Sequence, residues 1–131
     1  PITTFQRPTG TLQTYQGSGM TYTSGIFSFP KTGIWKVSLQ GKIKSISTGH
    51  SAYMYLWTTD DNGSNWDEVM HLRNEDESSR RTTCFGTTFL DITDLSNHKV
   101  KVSFDELSDA QLEGGTGSIA TGVFFERLGD T

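Results

Sequence analysis

One stretch limits the possible fold more than any other: from Trp35 to Lys44, large apolar side chains alternate with polar ones. Trp35, Val37, Leu39 and Ile43 point one way, and Lys36, Ser38, Gln40, Lys42 and Lys44 point the other. A period of two marks a β-strand with one buried face, because successive side chains leave the pleat on opposite sides. No window sustains the longer period of a helix. Further strands are predicted at Thr3–Gln6, Thr11–Tyr15, Tyr22–Phe29, Ala52–Thr58, Trp66–Leu72, Thr82–Ile92, Lys99–Asp105 and Ser118–Leu128. Turn residues separate them, as at Arg7-Pro8-Thr9-Gly10, Gly17-Ser18-Gly19 and Pro30-Lys31-Thr32-Gly33. Asn62-Gly63 between aromatic runs predicts a tight hairpin. Asn74–Ser79 and Leu107–Gly117 read as loops. About eight to ten short strands need a second sheet to cover their apolar faces, so the fold class is an all-β, two-sheet antiparallel sandwich.

Composition narrows the class further. A chain of 131 residues with no internal repeat or linker reads as a single domain over 1–131. Only 33% of its residues are hydrophobic, so burial of surface between copies is an expected source of stability. The net charge is -4 and the lysines and arginines form no stripe, which excludes nucleic acid as the main partner. No apolar run is long enough for a helical membrane span. Pro1-Ile2-Thr3-Thr4 shows no basic-then-apolar leader, and whether more chain precedes it is left open. Cys84 is the single cysteine, so an intrachain disulfide is impossible and an inert, partly buried thiol is the expectation.

Two segments resemble a known family. Tyr22–Val37 reads Tyr-Thr-Ser-Gly-Ile-Phe-Ser-Phe-Pro-Lys-Thr-Gly-Ile-Trp-Lys-Val. With Gly25, Phe27, Pro30, Gly33 and Trp35 it resembles the hallmark segment of the complement component 1q head domain. Ser118–Phe125 is similar to that family's closing strand, and Thr87–Phe104 to its pair of strands joined by a polar turn. The likeness covers most of residues 11–128 in order. It implies a jelly roll of the complement component 1q and tumour necrosis factor type, assembled as a homotrimer about a three-fold axis. Physical roles fit these landmarks: Gly25 and Gly33 suit positive φ or close backbone approach, Pro30 ends a strand, and Trp35 belongs in the core. The polar row Lys36, Ser38 and Gln40 implies a wet or charged trimer centre.

Candidate sites follow from the same alternation. Tyr53, Tyr55 and Trp57 share one face of a strand whose other face carries Ala52, Met54 and Leu56. Outward aromatics with polar tips would form a ligand-binding surface. The opposite arrangement, with the aromatics in the core and Met54 and Leu56 covered from outside, is the one the pattern favours, because an exposed apolar patch is a liability. Phe124 and Phe125 must face opposite sides; an outward Phe124, with Phe85 and Phe89, is a trimer-interface candidate. Thr59–Trp66 resembles an Asp-box hairpin, in which Asp61 accepts turn N–H groups and Trp66 packs underneath. Asp60, Asp61, Asn62 and Asp67 also suggest calcium, but no bidentate Glu stands at the needed spacing; the hairpin reading is preferred and no cofactor is expected. His50, His71 and His98 lack metal spacing, and no nucleophile motif is present, so an enzyme is not expected. These features predict a non-enzymatic trimeric head for a host-surface glycan or protein receptor. A lone thiol in a Thr/Ser/Gly-rich chain suggests a virion fibre or capsid-associated protein. A purely structural virion decoration or adaptor, touching other virion proteins, and a secreted extracellular recognition module are the alternatives.

Overall fold

A computed structural model describes residues 2, 4–6, 18–45, 50–76, 80–106, 110–114 and 119–131. Among them are nine strands and no helix: β1 (Thr21–Thr23), β2 (Ile26–Ser28), β3 (Gly33–Ser45), β4 (His50–Thr59), β5 (Asp67–Asp76), β6 (Arg81–Ile92), β7 (Lys99–Glu106), β8 (Ala110–Glu113) and β9 (Gly122–Gly129). They form two antiparallel sheets, as the alternation predicts. The first runs β1-β2-β7-β4-β5; the second centres on β3, with β6 along one side and β9 then β8 along the other. This is a jelly-roll sandwich.

The buried layer comes from the inward positions of both sheets. Val37, Leu39, Met54, Leu56, Val100 and Val102 are essentially sealed, joined by Phe27, Phe29, Trp35 and Ile92. Each large side chain sealed in this way contributes about 1.5–3 kcal/mol. Trp35 is in this core, and its indole N–H donates to the Lys31 carbonyl at 3.0 Å. Phe125 packs on Phe27 and Phe29 at 5.1 and 6.0 Å between ring centroids. A smaller cluster of Ile43, Ala52 and Ala110 closes the far end. Cys84 sits half-buried beside it, where burial pushes its thiol pKa up, in keeping with an unreactive sulfur.

Several boundaries differ from expectation. Tyr22–Phe29 is not one strand: Ser24 and Gly25 take φ of 51° and 87° and fold it into the β1–β2 hairpin. Asn74 to Asp76 extend β5 instead of forming a loop, and Asn74 is buried opposite Ala52. The Gly-rich segment contributes β8, which continues the pairing of β3 where β9 stops. Ile2 bonds Val102 through its backbone N–H, at 2.8 Å, but residues 4–6 are not strand. The predicted strand Thr11–Tyr15 lies outside the described residues. Gly33 has φ of 129°, and a Cβ there would collide with the Gly129 carbonyl; only glycine fits this entry into β3.

Candidate functional site

The fold leaves two outward sheet faces, and each carries one of the aromatic sets found in the sequence. On the first sheet, Ala52, Met54 and Leu56 of β4 are buried, so Tyr53, Tyr55 and Trp57 face outward. This reverses the arrangement that the sequence pattern favours. At this place the inter-sheet layer takes side chains with no polar tip, whereas a phenol or indole there would need a buried partner such as the Lys31 carbonyl that serves Trp35. Outward, Trp57 donates its N–H to the Ser103 hydroxyl at 2.8 Å.

The three rings form a column along β4. Tyr53 and Tyr55 are 5.9 Å apart and nearly parallel, and Tyr55 and Trp57 are 5.7 Å apart. Because β4 is paired with both β5 and β7, each ring has a neighbour on either side. Tyr53 lies between Arg73 and Asp105, Tyr55 between His71 and Ser103, and Trp57 between Glu68 and Lys101. The Arg73 guanidinium lies over Tyr53, 5.6 Å from its centroid. Lys101 Nζ is 5.6 Å from the Trp57 ring and 4.2 Å from that of Trp66, within range of a cation–π attraction. Partial burial, then the charges of Asp105 and Glu68, raise the Tyr55 pKa, so this phenol stays a protonated donor at neutral pH. His71 Nδ1 is 2.8 Å from Glu68 Oε1.

Trp66 arrives at this face through the β4–β5 loop. Thr59 donates its hydroxyl to Asp61 Oδ1 at 2.7 Å and accepts the Gly63 N–H at 3.0 Å. Asp61 also accepts the Asn65 backbone N–H at 2.9 Å and the Asn65 amide at 2.6 Å. Asn62 and Gly63 have φ of 59° and 94°, and Trp66 donates back to the Gly63 carbonyl at 3.1 Å. The Asn65 N–H first, with the Thr59 hydroxyl next, draws the Asp61 pKa down to about 2. Both carboxylate oxygens therefore serve the turn. Asp60 and Asp67 instead line a shallow groove of about 200 Å³, shared with Asp91, His98 and Lys99. The four calcium candidates thus divide between two jobs, and the described residues hold no group of three or more metal-type side chains. The loop is a self-contained hairpin, as its sequence predicts.

On the second sheet, the outward row of β3 is Lys36, Ser38 and Gln40. Phe89 and Phe85 flank Lys36 and Gln40 on β6, while Phe124 flanks Ser38 on β9. Phe85 and Phe89 are 61% and 62% exposed, Phe124 38%; these rings carry no polar atom to justify contact with water. The central row is satisfied within the chain. Lys36 pairs with Glu126 at 2.9 Å, Ser38 bonds Thr87 at 2.8 Å, and Gln40 donates to the Ala120 carbonyl at 3.1 Å. Of the histidines, His71 bonds Glu68 and His98 accepts from the Thr93 N–H; the His50 side chain lies outside the described set.

No protein-family model matches the chain, and a search of curated proteins finds no relative. Among solved structures, the fold is similar to that of Eiger TNF from S. frugiperda, with a TM-score of 0.62 over 86% of this chain and 70% of that one. Sequence identity across the match is 12%. The likeness is one of fold, and it agrees with the jelly roll implied by Gly25 to Trp35.

Proposed function

We propose that the chain is a non-enzymatic recognition head that assembles as a homotrimer through the outer face of β6, β3 and β9 and presents the Tyr53–Tyr55–Trp57 column to a glycan or protein receptor on a host surface. The observation that carries this reading is the bare pair Phe85 and Phe89 on the edge strand β6, facing the same way as Phe124. The two apolar edges stand about 10 Å apart, two strand spacings, with the polar row of β3 between them. Stacking two copies face to face would bury Lys36, Glu126, Ser38 and Gln40 in a dry layer at a desolvation cost. A ring in which the β6 edge of one copy meets the β9 edge of the next buries the phenylalanines and leaves the polar row along a wet axis.

The tumour necrosis factor-type fold supports this class of function, because binding by such a head needs no catalytic group. Three weak sites around one axis would raise avidity without any strong single contact. A virion fibre or capsid-associated setting is the sequence-based part of the proposal. Mass measurement in solution at micromolar concentration is the direct test: three times the 14.5 kDa chain is expected, and a monomer would overturn the assembly. Tyr55→Ala separates recognition from a purely structural adaptor. It should abolish adsorption to host surfaces while the trimer mass is unchanged.

A further inference from the structure

On the aromatic face, Lys101 is the cation that the geometry sets against two indole rings and against no carboxylate among the described residues. Its Nζ lies 4.2 Å from the Trp66 ring and 5.6 Å from that of Trp57. No carboxylate is within ion-pair distance of it among the described residues. The acid in register across the column, Glu68, is two strands away and held by His71. Asp105, four residues along β7, is about 13 Å distant at the usual strand rise. Indole faces attract a cation without neutralising it, so the ammonium keeps its charge for an incoming anion.

The surroundings add donors. The Ser103 hydroxyl accepts from Trp57, which leaves its own hydrogen directed elsewhere. Tyr55, in register with Ser103, is a protonated phenol. Partial burial lowers the Lys101 pKa, a sign that water is thinned around the ammonium and that an anion there would be less screened. Trp66 is placed by the Asp61-centred hairpin, so the Asp-box-like loop builds one wall of the seat.

We infer that Lys101, walled by Trp57 and Trp66, seats the acid group of an acidic saccharide whose ring lies along Trp57 and Tyr55. This deepens the recognition reading above and rests on it. A saccharide fits better than an acidic peptide. Strand β4 is hydrogen-bonded to β5 and β7 on both sides, and the sheet's edge beside it lies at β5, on the far side of the column from Lys101. An extended peptide added to an edge would therefore not run through the Lys101 seat. A ligand must lie flat on the face. The 5.7–5.9 Å ring spacing is close to the length of one sugar residue.

The test is a titration of the full chain followed by tryptophan fluorescence, with 3′-sialyllactose, lactose and hexaglutamate as separate probes. Sialyllactose should bind about tenfold or more tightly than lactose, and hexaglutamate should give no saturable signal. Lys101→Gln should reduce sialyllactose to the level of lactose, whereas Lys101→Arg should preserve the preference; unchanged melting of both variants verifies the fold. Equal binding of the two sugars, a preference that survives Lys101→Gln, or tighter binding of hexaglutamate would each overturn the inference. If no sugar binds but Tyr55→Ala still abolishes host-surface adsorption, the acid seat falls and the recognition reading stands. If that variant also adsorbs normally, both fall.

Discussion

The two outward faces of this sandwich are both aromatic, yet they treat their rings in opposite ways. On the β4 face, every ring is flanked by polar neighbours, and the end rings lie under Arg73 and Lys101. All three rings are partly buried by these neighbours. On the β6 face, Phe85 and Phe89 stand out with more than half their surface bare. The first face is compatible with water, since its indole and phenols have polar ends. The second exposes plain hydrocarbon, the chemistry of a surface meant to be covered for good. Apolar content alone does not tell the two faces apart; what the rings are paired with does.

Variants can break this comparison in descending order of effect. Met54→Ala acts beneath both faces, because Met54 is sealed in the layer they share and its sulfur lies against Gly41. It should cost about 2–5 kcal/mol by urea unfolding and weaken recognition and assembly together. Paired Phe85→Ser and Phe89→Ser should instead leave monomer unfolding nearly unchanged and shift the solution mass from trimer to monomer. A mass that stays threefold would show that the bare pair is not the interface. Tyr55→Ala gives the converse pattern, with mass retained and adsorption lost; loss of mass as well would show that the two faces are not independent.

The smallest effect concerns the hairpin that presents Trp66. Its turn donors hold the Asp61 pKa down to about 2, so the folded loop favours the carboxylate. That contribution is full above the ordinary aspartate range near pH ~4 and is lost as pH falls toward about 2. Trp66 fluorescence should therefore change over this acid window, and Asp61→Ala should remove the acid transition by loosening the turn at every pH. An acid change that persists in Asp61→Ala would assign it to another group.

Much of the framework is legible in the sequence. The alternation from Trp35 to Ile43 identifies β3 and its buried side, and Asn62-Gly63 locates the hairpin, because these signals are local. The split into β1 and β2 is marked only by Ser24-Gly25, a turn dipeptide, and is easily missed because each flanking strand is three residues long, too short to show an alternation of its own. The β8 strand is hidden for a similar reason. Ala110–Glu113 does alternate apolar and polar residues, but over only four positions beside a Gly-rich run, too short to stand out. Its strand pairing follows from its place beside β3 at Lys42 to Ser45, beyond the end of β9. Lys101 gives no sign of an acid seat, since nothing in Lys-Val-Lys-Val-Ser distinguishes it from Lys99. Only the register that sets it beside Trp57, and the loop that brings Trp66 over it, separate the two.

By itself the sequence determined an all-β sandwich, the course of its longest strands and the Asp61 turn, because periodicity and turn chemistry act over a few neighbouring residues. Which way β4 faces was a tertiary decision. Its two sides, Tyr53-Tyr55-Trp57 and Ala52-Met54-Leu56, are both apolar enough to be buried, so alternation alone cannot choose. The layer between the sheets decided it: Ala52, Met54 and Leu56 fill that space with no polar end to satisfy. A buried ring with a polar end needs a partner of its own, as Trp35 has in the Lys31 carbonyl, and Trp57 finds its partner, Ser103, on the outer face.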